Sequence, residues 1–389
     1  MSSLAVRTSE PTISTPTPAR TIIYLGMDVH KDSITIAVLP GPAKTPTRLE
    51  RLPNDLPKLK KWFDRVATQG ELRACYEASG AGYVLHRAMR EWGYACEVIA
   101  PSLIPTRPGV QRKHDKRDAT DLARYYRAGE LVVVRIPSEA EERVRDVVRC
   151  REVFQREILK SRHYILKFLA LRGFVYREGT NWCTPHLKWL QHLTTDGSAL
   201  AADDRLVFRE YHALLDYKLQ RRAELDRQIE RLALLPHLAP MVQALQCFRG
   251  IALQSAMVLA TELVDWRRFE HPRQLACYLG VVPREDSSGN RVRLGSITKA
   301  GNTHCRHVLI QAAWSYRHRP QTSVDLKRRQ QGQAPAVITH AMKAQQRLHQ
   351  RFQHLSHTKR PQIAVVAVAR ELVGFLWAIA RDIEIPASA

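Results

Sequence analysis

Four acidic residues in the first third of the chain have the type and placement of a shared metal site. Asp28 lies near the end of an apolar run in TIIYLGMDVHKDSITIAVLP, and Glu77 ends a second apolar run 49 residues later. Asp118 and Asp121 follow in RDATDLARYYRAG, 41 and 44 residues after Glu77. A carboxylate inside an apolar strand costs free energy unless it is paired, hydrogen-bonded or bound to a metal. Because clustered carboxylates repel one another, a shared cluster implies bound divalent cations.

Such a cluster would support the cleavage or transfer of phosphodiesters. Oxygen ligands alone suit Mg²⁺ or Mn²⁺ better than zinc, and two such ions roughly 3.5–4 Å apart are a recurring clamp in this chemistry. The alternative for Asp118 and Asp121 is structural, because an Asp at a helix start caps the helix and interacts well with its dipole. The metal hypothesis therefore depends on whether the four acids meet in the fold.

The pattern of apolar residues predicts the elements that would position these acids. Strands are predicted over 22–29, 33–39, 47–52, 72–77 and 95–100, and helices over 54–70 and 83–92. This order predicts an α/β domain with a mixed sheet. Strand ends that carry Asp28 and Glu77 would lie in the crevice region where open α/β sheets place their sites. Asp118 and Asp121 are three residues apart and share one face of a helix.

The charge balance predicts a polyanionic partner. Lys and Arg number 60 against 38 Asp and Glu, which gives a net charge of +22. Nucleic acid is the usual partner of such a surplus. General solubility is the alternative, but the basic residues recur in every segment. One basic loop, 101–116, contains Arg107, Arg112, Lys113 and Lys116 and leads into the acidic helix.

Cysteine usage and the apolar segments predict an intracellular protein with no membrane partner. The seven cysteines are scattered and never spaced C-x-x-C, which favours neither a disulfide framework nor an ordinary zinc pattern. Residues 1–20 are rich in Ser, Thr and Pro, lack the apolar core of a signal peptide, and are expected to be disordered. The apolar run 363–380 carries Arg370 and Glu371 at its middle, which favours a packed helix over a membrane span.

Beyond residue 140 the chain is predicted to be helical. Two long, charged helices over 139–172 and 201–235, separated by an irregular connection over 180–195, favour an antiparallel coiled-coil hairpin that makes oligomer contacts. The predicted domains are a disordered tail 1–20, an α/β domain 21–140, a helical hairpin 141–236 and a helical C-terminal domain 237–389.

Two segments of the C-terminal part have weaker functional signals. A helix hairpin over 245–263 could offer helix N-terminal amides to a phosphate, although Ala252 stands where a tight turn favours Gly. His304, Cys305 and His307 share a predicted helix, but a zinc site needs a fourth ligand and none is evident.

The acidic residues and several longer motifs together resemble the IS110-type transposases. An Asp on the first strand, a Glu on a later strand and D-x-x-D on a helix resemble the DEDD RuvC-type (RNase H-like) domain. The narrower resemblance is carried by YLGMDVHKDSITIAV, YEASGAGY, KRDATDLAR, FEHPRQLACYLGVVPREDSSG and TKAGNTHCR. It covers most of 21–318, with the central hairpin matched only in character. It implies an α/β RNase H-like domain with a mixed sheet, a long helical coiled-coil hairpin and a mostly α-helical C-terminal transposase domain.

The resemblance also implies site residues. Asp28, Glu77, Asp118 and Asp121 correspond to the metal-binding acids, and Ser288 corresponds to a catalytic serine. The local chemistry fits, because Gly289 lets the backbone approach a phosphate closely. A serine needs activation to be a nucleophile, and the acids with their metal could supply it. Ser287 is the rival position, and a merely flexible polar turn is the structural alternative. Basic residues predicted to contact nucleic acid or a phosphoryl transition state are Arg112, Lys113, Lys116, Arg284, Arg291, Arg293 and Lys299.

The partners implied by the resemblance are donor and target DNA, a structured guide RNA, Mg²⁺ or Mn²⁺, and further copies of the chain in a dimer that assembles into a tetramer. The implied location is the cytoplasm and nucleoid of a prokaryote.

Three other functions stay open at the level of sequence. A metal-dependent endonuclease of the Holliday-junction type would use water as the nucleophile and leave Ser288 incidental. An ATP-binding, sugar-kinase-like protein also opens with an Asp-containing hairpin, but it wants a Gly-rich phosphate turn where this chain has His30-Lys31-Asp32. A pure binding module would leave the acidic cluster unexplained.

Overall fold

A computed structural model describes residues 21–105, 115–285 and 293–384 of the 389-residue chain. The chain forms two compact units, the first ending at Ile136 and the second beginning at Pro137. We call them the N-terminal and C-terminal units. The predicted four-part division stays a prediction. Several predicted features lie outside the described residues, namely the tail 1–20, Arg107, Arg112, Lys113, Ser287, Ser288 and Arg291.

The N-terminal unit contains the predicted mixed sheet. Its strands are β1 (Ile22–Val29), β2 (Ser33–Pro40), β3 (Arg48–Pro53), β4 (Glu71–Glu77) and β5 (Ala95–Ile99), and its helices are α1 (Leu56–Ala67), α2 (Val84–Glu91) and α3 (Asp115–Ala128). The strand order is β3-β2-β1-β4-β5. The first three strands form an antiparallel meander, and β4 and β5 continue the sheet parallel to β1. This mixed sheet with helices fits an RNase H-like domain.

Side chains of β1 alternate between the two faces of the sheet, as strand geometry requires. Leu25 and Met27 are fully buried in the core that the sheet forms with α1 and α2. Gly26 and Asp28 therefore belong to the opposite face, which α3 covers. A Cβ atom at Gly26 would lie 2.1 Å from the carbonyl oxygen of Ala119. Glycine is required here because α3 packs directly on the backbone of β1.

Helix α3 runs antiparallel to β1. Near the end of the helix, the Tyr126 ring packs edge-on against that of Tyr24, with 5.9 Å between centroids. Half-way along the helix, the Leu122 carbonyl oxygen lies 3.8 Å from Cys75 Sγ on β4. The first turn of α3 therefore lies at the carboxyl ends of β1 and β4.

The C-terminal unit begins with an antiparallel pair of long helices, α4 (Glu139–Ala170) and α6 (Ala202–Leu232). Val148 near the start of α4 shares a core with Ile229 near the end of α6, whereas Ile165 shares another core with Phe208. The pairing agrees with the predicted hairpin, and its winding into a coiled coil stays a prediction.

The prediction of an irregular connection over 180–195 was wrong for most of that segment. Thr184–Leu193 forms a helix, α5. Pro185 stands in its first turn, where a missing N–H is tolerated. Leu190 and Leu193 are buried against the pair of long helices, so tertiary packing stabilises a segment whose local composition favoured a loop.

The remainder of the C-terminal unit is mostly helical, as predicted. Its elements are α7 (Ala239–Gln246), α8 (Leu253–Leu263), α9 (Pro272–Tyr278), β6 (Pro283–Glu285), β7 (Leu294–Ile297), α10 (Thr303–Ala313), α11 (Val324–Gln330), α12 (Pro335–Ser356) and α13 (Pro361–Ala380). The predicted hairpin over 245–263 is present, although its first helix begins earlier, at Ala239.

Helix α13 belongs to the core of the C-terminal unit. It is the one helix in the described residues that is long and apolar enough to cross a membrane, with a mean hydropathy of 2.0. Leu372 and Leu376 are fully buried against neighbouring helices, and Glu371 accepts a hydrogen bond of 2.7 Å from Arg347 on α12. These contacts are those of the packed helix that its central charges predicted.

Candidate metal centre and nucleic-acid interface

Asp28 and Glu77 lie at the carboxyl ends of neighbouring strands on one face of the N-terminal sheet, and Asp118 and Asp121 lie on α3, the helix that covers that face. Gly26 and Cys75 are paired across β1 and β4, and Asp28 and Glu77 lie two residues further along these strands. Residues two positions apart on a strand point to the same face of the sheet. Both acids therefore belong to the face that α3 covers. Asp118 precedes Leu122 by one helical turn, on the part of α3 nearest the same strand ends, and Asp121 directly precedes Leu122. We call this group, Asp28, Glu77, Asp118 and Asp121, the acidic edge.

Side chains of the acidic edge are partly exposed, and Asp28 and Asp121 have basic neighbours that can be named. Asp28 Oδ2 lies 3.2 Å from His30 Nε2, and its side chain is 21% exposed. Asp121 Oδ2 lies 3.8 Å from Arg117 Nε, and its side chain is 24% exposed. The acids are thus accessible to solvent and to a ligand.

The donor chemistry of the acidic edge fits Mg²⁺ or Mn²⁺. Among the described residues, no three His, Cys, Asp or Glu side chains approach closely enough to form a metal cage. Mg²⁺ does not require one, because proteins usually bind it through one or two carboxylates together with waters and substrate phosphates. Four accessible carboxylates at one edge could provide such ligands.

The predicted serine loop is framed by a small hairpin in the C-terminal unit. Strands β6 and β7 pair antiparallel, with Pro283 opposite Ile297. Residues 286–292 connect the two strands, and we call them the serine loop. They include Ser288 and Arg291 and lie outside the described residues. Three basic residues predicted to contact nucleic acid are described and exposed, namely Arg284, Arg293 and Lys299. Lys116 lies in the first turn of α3.

Gly301 and Arg306 hold the base of this hairpin together. A Cβ atom at Gly301 would lie 1.8 Å from the carbonyl oxygen of Tyr278, and Gly301 has φ +65°. Arg306 on α10 donates to the carbonyl oxygens of Leu279 and Ala300, at 2.9 and 2.7 Å. A close backbone approach therefore explains why glycine occurs in TKAGNTHCR.

Sequence reasoning missed a buried ion pair next to this hairpin. The Glu262 carboxylate on α8 is 2% exposed and accepts two hydrogen bonds from Arg149 on α4, at 2.6 and 2.8 Å. Asn302 donates a third, at 2.7 Å, and also caps α10 by accepting from the Cys305 amide. Burial opposes the charge of Glu262, but these hydrogen bonds prevail and lower its pKa below the ordinary 4.5. A Glu in the apolar run AMVLATEL was the available signal.

Two weaker signals have structural explanations. The His304 ring is paired with the Glu152 carboxylate, and Cys305 is buried, which raises the pKa of its thiol. The turn between α7 and α8 is fixed to the rest of the unit, because Gly250 packs against the Ala312 backbone and Arg249 donates to the Arg319 carbonyl at 2.8 Å. The Arg249 side chain of this hairpin is therefore already engaged.

Known proteins are similar to this chain over both units. A family model for DEDD transposases of the IS110 type matches residues 25–172, and one described as transposase IS116/IS110/IS902 family matches residues 242–326. The putative transposase y4qE of Sinorhizobium fredii is 39% identical over 313 residues, which are 79% of this chain and 75% of that protein. The transposase for insertion sequence element IS1533 of Leptospira borgpetersenii is 30% identical over 346 residues, 87% of this chain and 98% of that protein.

Proposed function

The chain belongs to the IS116/IS110/IS902 family of transposases, and from that premise we propose that it cleaves and rejoins DNA strands with a serine nucleophile and a metal-binding acidic edge. The nucleophile is Ser288. The metal ligands are Asp28, Glu77, Asp118 and Asp121, with Mg²⁺ or Mn²⁺ as the ion. The observation that carries the proposal is the position of Asp28 and Glu77 at the carboxyl ends of β1 and β4, with Asp118 and Asp121 on the helix that covers that face of the sheet.

The serine forms and then breaks one covalent bond to DNA. Ser288 Oγ attacks a backbone phosphorus and loses its proton, the new Oγ–P bond forms, and the P–O bond to one sugar breaks. The released sugar oxygen takes up a proton. Attack by a second sugar hydroxyl on the phosphoserine reverses these steps and joins the strands. Because each step exchanges one phosphodiester for another, rejoining needs no external energy source.

Residues of this chain assist that exchange by charge and position. Arg284 and Lys299 are exposed beside the serine loop, where cations stabilise the charge of a phosphoryl transition state. When bound, the metal ions would polarise a phosphoryl oxygen and favour deprotonation of the attacking hydroxyl. The carboxylates of the acidic edge would hold those ions.

A second candidate function is a metal-dependent endonuclease of the Holliday-junction type that uses water as its nucleophile. The acidic edge alone would support it. The sugar-kinase-like and pure binding functions do not agree with membership of a transposase family.

We further propose that a structured guide RNA selects the DNA and that the chain acts as a dimer that assembles into a tetramer. The net charge of +22 supports nucleic-acid partners of either kind. RNA is expected to co-purify with the full chain, and the protein is expected to protect a defined segment of that RNA from ribonuclease. Nucleic-acid-free protein that transposes DNA would contradict the guide.

Covalent adducts test the nucleophile. Wild-type protein incubated with a labelled donor duplex and Mg²⁺ is expected to give a protein–DNA adduct that survives denaturing gels. Ser288→Ala is expected to abolish the adduct, whereas Ser287→Ala, the matched control, retains it. An adduct with Ser288→Ala would rule out Ser288 as the nucleophile. Cleavage by the wild-type protein without any adduct would favour water as the nucleophile.

A further inference from the structure

The C-terminal unit contains a cleft that the proposed reaction does not use. It has a volume of about 520 Å³ and lies among α4, α8 and α10. Volumes of about 300–1,000 Å³ are usual for sites that hold a small molecule or one group of a larger ligand. Its edge includes Thr303 and His304, the first residues of α10 after the serine-loop hairpin.

Apolar side chains form part of the cleft wall. Val148, Val258 and Val308 come from three different helices and are 2%, 4% and 8% exposed. Apolar side chains in a cleft wall suit an aromatic ring, which gains by leaving water.

One polar group in the cleft lacks a partner. Gln254 Nε2 donates to Asp226 at 2.8 Å, which fixes the orientation of its amide. Its Oε1 is buried and has no hydrogen-bond partner within the described part of the chain. A buried acceptor without a donor is costly, and a small shift of the Gln254 side chain would let an N–H group of a ligand remove that cost.

One strong cation at the cleft is available to a ligand. Arg151 is paired with Asp226 at 2.8 Å, and His304 is paired with Glu152. Arg156 is exposed on the same wall, and the structure gives it no ion pair or hydrogen bond among the described residues. An arginine in this position suits a phosphate, which it can bind through two parallel hydrogen bonds.

From these features we propose that the cleft binds one unpaired nucleotide of a nucleic-acid strand. The base lies against the three valines, an N–H group of the base donates to Gln254 Oε1, and Arg156 binds the adjacent phosphate. This inference rests on the proposed function, which supplies the nucleic acid. Because α10 follows the serine-loop hairpin, a nucleotide held here would fix the strand close to the base of that hairpin.

Binding of single-base strands tests the cleft without any cleavage. The probes are an eight-unit abasic deoxyribose strand with one central adenine, the same strand without a base, and the ribose strand with one adenine, all fluorescein-labelled. They are titrated with the full-length Ser288→Ala protein in EDTA and followed by anisotropy. One stacked base is expected to tighten binding on the order of tenfold. A tighter ribose strand would identify RNA as the source of the nucleotide, and a tighter deoxyribose strand would identify DNA.

Variants of the cleft supply the controls. Val258→Phe and Gln254→Ala are expected to abolish the tenfold preference for the adenine strand. Arg156→Ala weakens binding of both strands more than Arg221→Ala, which removes the same charge from an exposed position on α6. Unfolding midpoints identify any variant that fails to fold. If a change at Val258 or Gln254 prevents folding, Arg156→Ala still tests the proposal, because Arg156 is exposed. Equal affinity for the adenine and base-free strands, or an unchanged preference in the folded variants, would overturn the proposal. Neither outcome depends on whether the protein cleaves DNA.

Discussion

Two carboxylates in apolar surroundings, Asp28 and Glu262, avoid the cost of burial in different ways. Asp28 stands near the end of its strand, stays 21% exposed and lies beside His30. Glu262 is 2% exposed and is neutralised by Arg149 and hydrogen-bonded by Asn302. A carboxylate whose acceptor sites are filled by side chains contributes to the fold, whereas an accessible one can bind a metal.

Glu262 is expected to make stability depend on pH at the acidic end. Because its pKa is lower in the folded state than the ordinary 4.5, its contribution is complete above about pH 4.5 and is lost as pH falls through the folded pKa. Glu262→Gln should destabilise the protein at neutral pH by about 2 kcal/mol. This is less than the roughly 3–5 kcal/mol typical of a fully buried pair, because Arg149 is 40% exposed.

Urea unfolding over a pH series measures this effect. Glu262→Gln should lose less stability than wild type on acidification, since its side chain does not titrate. Asp265→Asn, which breaks an exposed pair with Arg267, should change stability by less than about 1 kcal/mol. An equal loss of stability in wild type and Glu262→Gln below pH 4.5 would contradict the role of Glu262.

The positions of Asp28 and Glu77 near strand ends could be predicted from the sequence, because each follows a run of apolar residues. The helix of Asp118 and Asp121 was also predictable, although it begins at Asp115 and so places Asp121 in its second turn. The partner of Glu262 could not be predicted, since Arg149 is 113 residues away and no local pattern joins the two. Local rules identify a residue that needs a partner, but only the fold identifies the partner.

At the scale of elements, the acidic edge depends on how closely α3 approaches β1. The sheet and its order of strands and helices were predictable, because runs of apolar residues bounded by polar turns are a local signal. The direction of α3 across the sheet was not, since it follows from the contacts of Gly26 and Tyr24 with residues about 100 positions later. Helix α5 was missed for a similar reason, because its burial against α4 and α6 compensates for weak local propensity.

Gly26→Ala is expected to displace α3 and to impair the acidic edge. The added Cβ would lie 2.1 Å from a backbone oxygen of α3, which cannot move without the helix. Overpacking of this kind typically costs about 1–3 kcal/mol, and here we expect the upper end. The midpoint temperature of thermal unfolding and the rate of Mg²⁺-dependent strand cleavage should both fall.

Gly80→Ala is the matched control for that change. Its Cβ would have no neighbour within 4 Å, and Gly80 has no positive φ. We expect an unchanged unfolding midpoint and unchanged cleavage. A Gly26→Ala protein as stable and as active as Gly80→Ala would show that the close approach of α3 to β1 is not needed.

At the scale of the whole molecule, the net charge of +22 predicts that nucleic-acid binding is strongly salt-dependent. Each phosphate contact contributes about −0.9 to the slope of log K against log salt on duplex DNA. Arg284→Ala and Lys299→Ala should each make the slope shallower by about 1. Lys60→Ala, whose ammonium is paired with Asp64 at 2.8 Å, should leave it unchanged. If all three variants kept the wild-type slope, Arg284 and Lys299 at the base of the serine loop would not contact phosphate.

The most direct test of the metal-binding acidic edge compares Asp28→Asn with Asp32→Asn in a Mg²⁺-dependent strand-cleavage assay on donor DNA. Both changes remove one negative charge with little change in shape, but Asp32 lies in the exposed turn between β1 and β2. Asp28→Asn should lower the cleavage rate by at least about a hundredfold, equivalent to roughly 2.7 kcal/mol, while nucleic-acid binding in EDTA is retained. Asp32→Asn should cleave like wild type. Cleavage by Asp28→Asn at the wild-type rate would contradict a metal-binding role for the acidic edge.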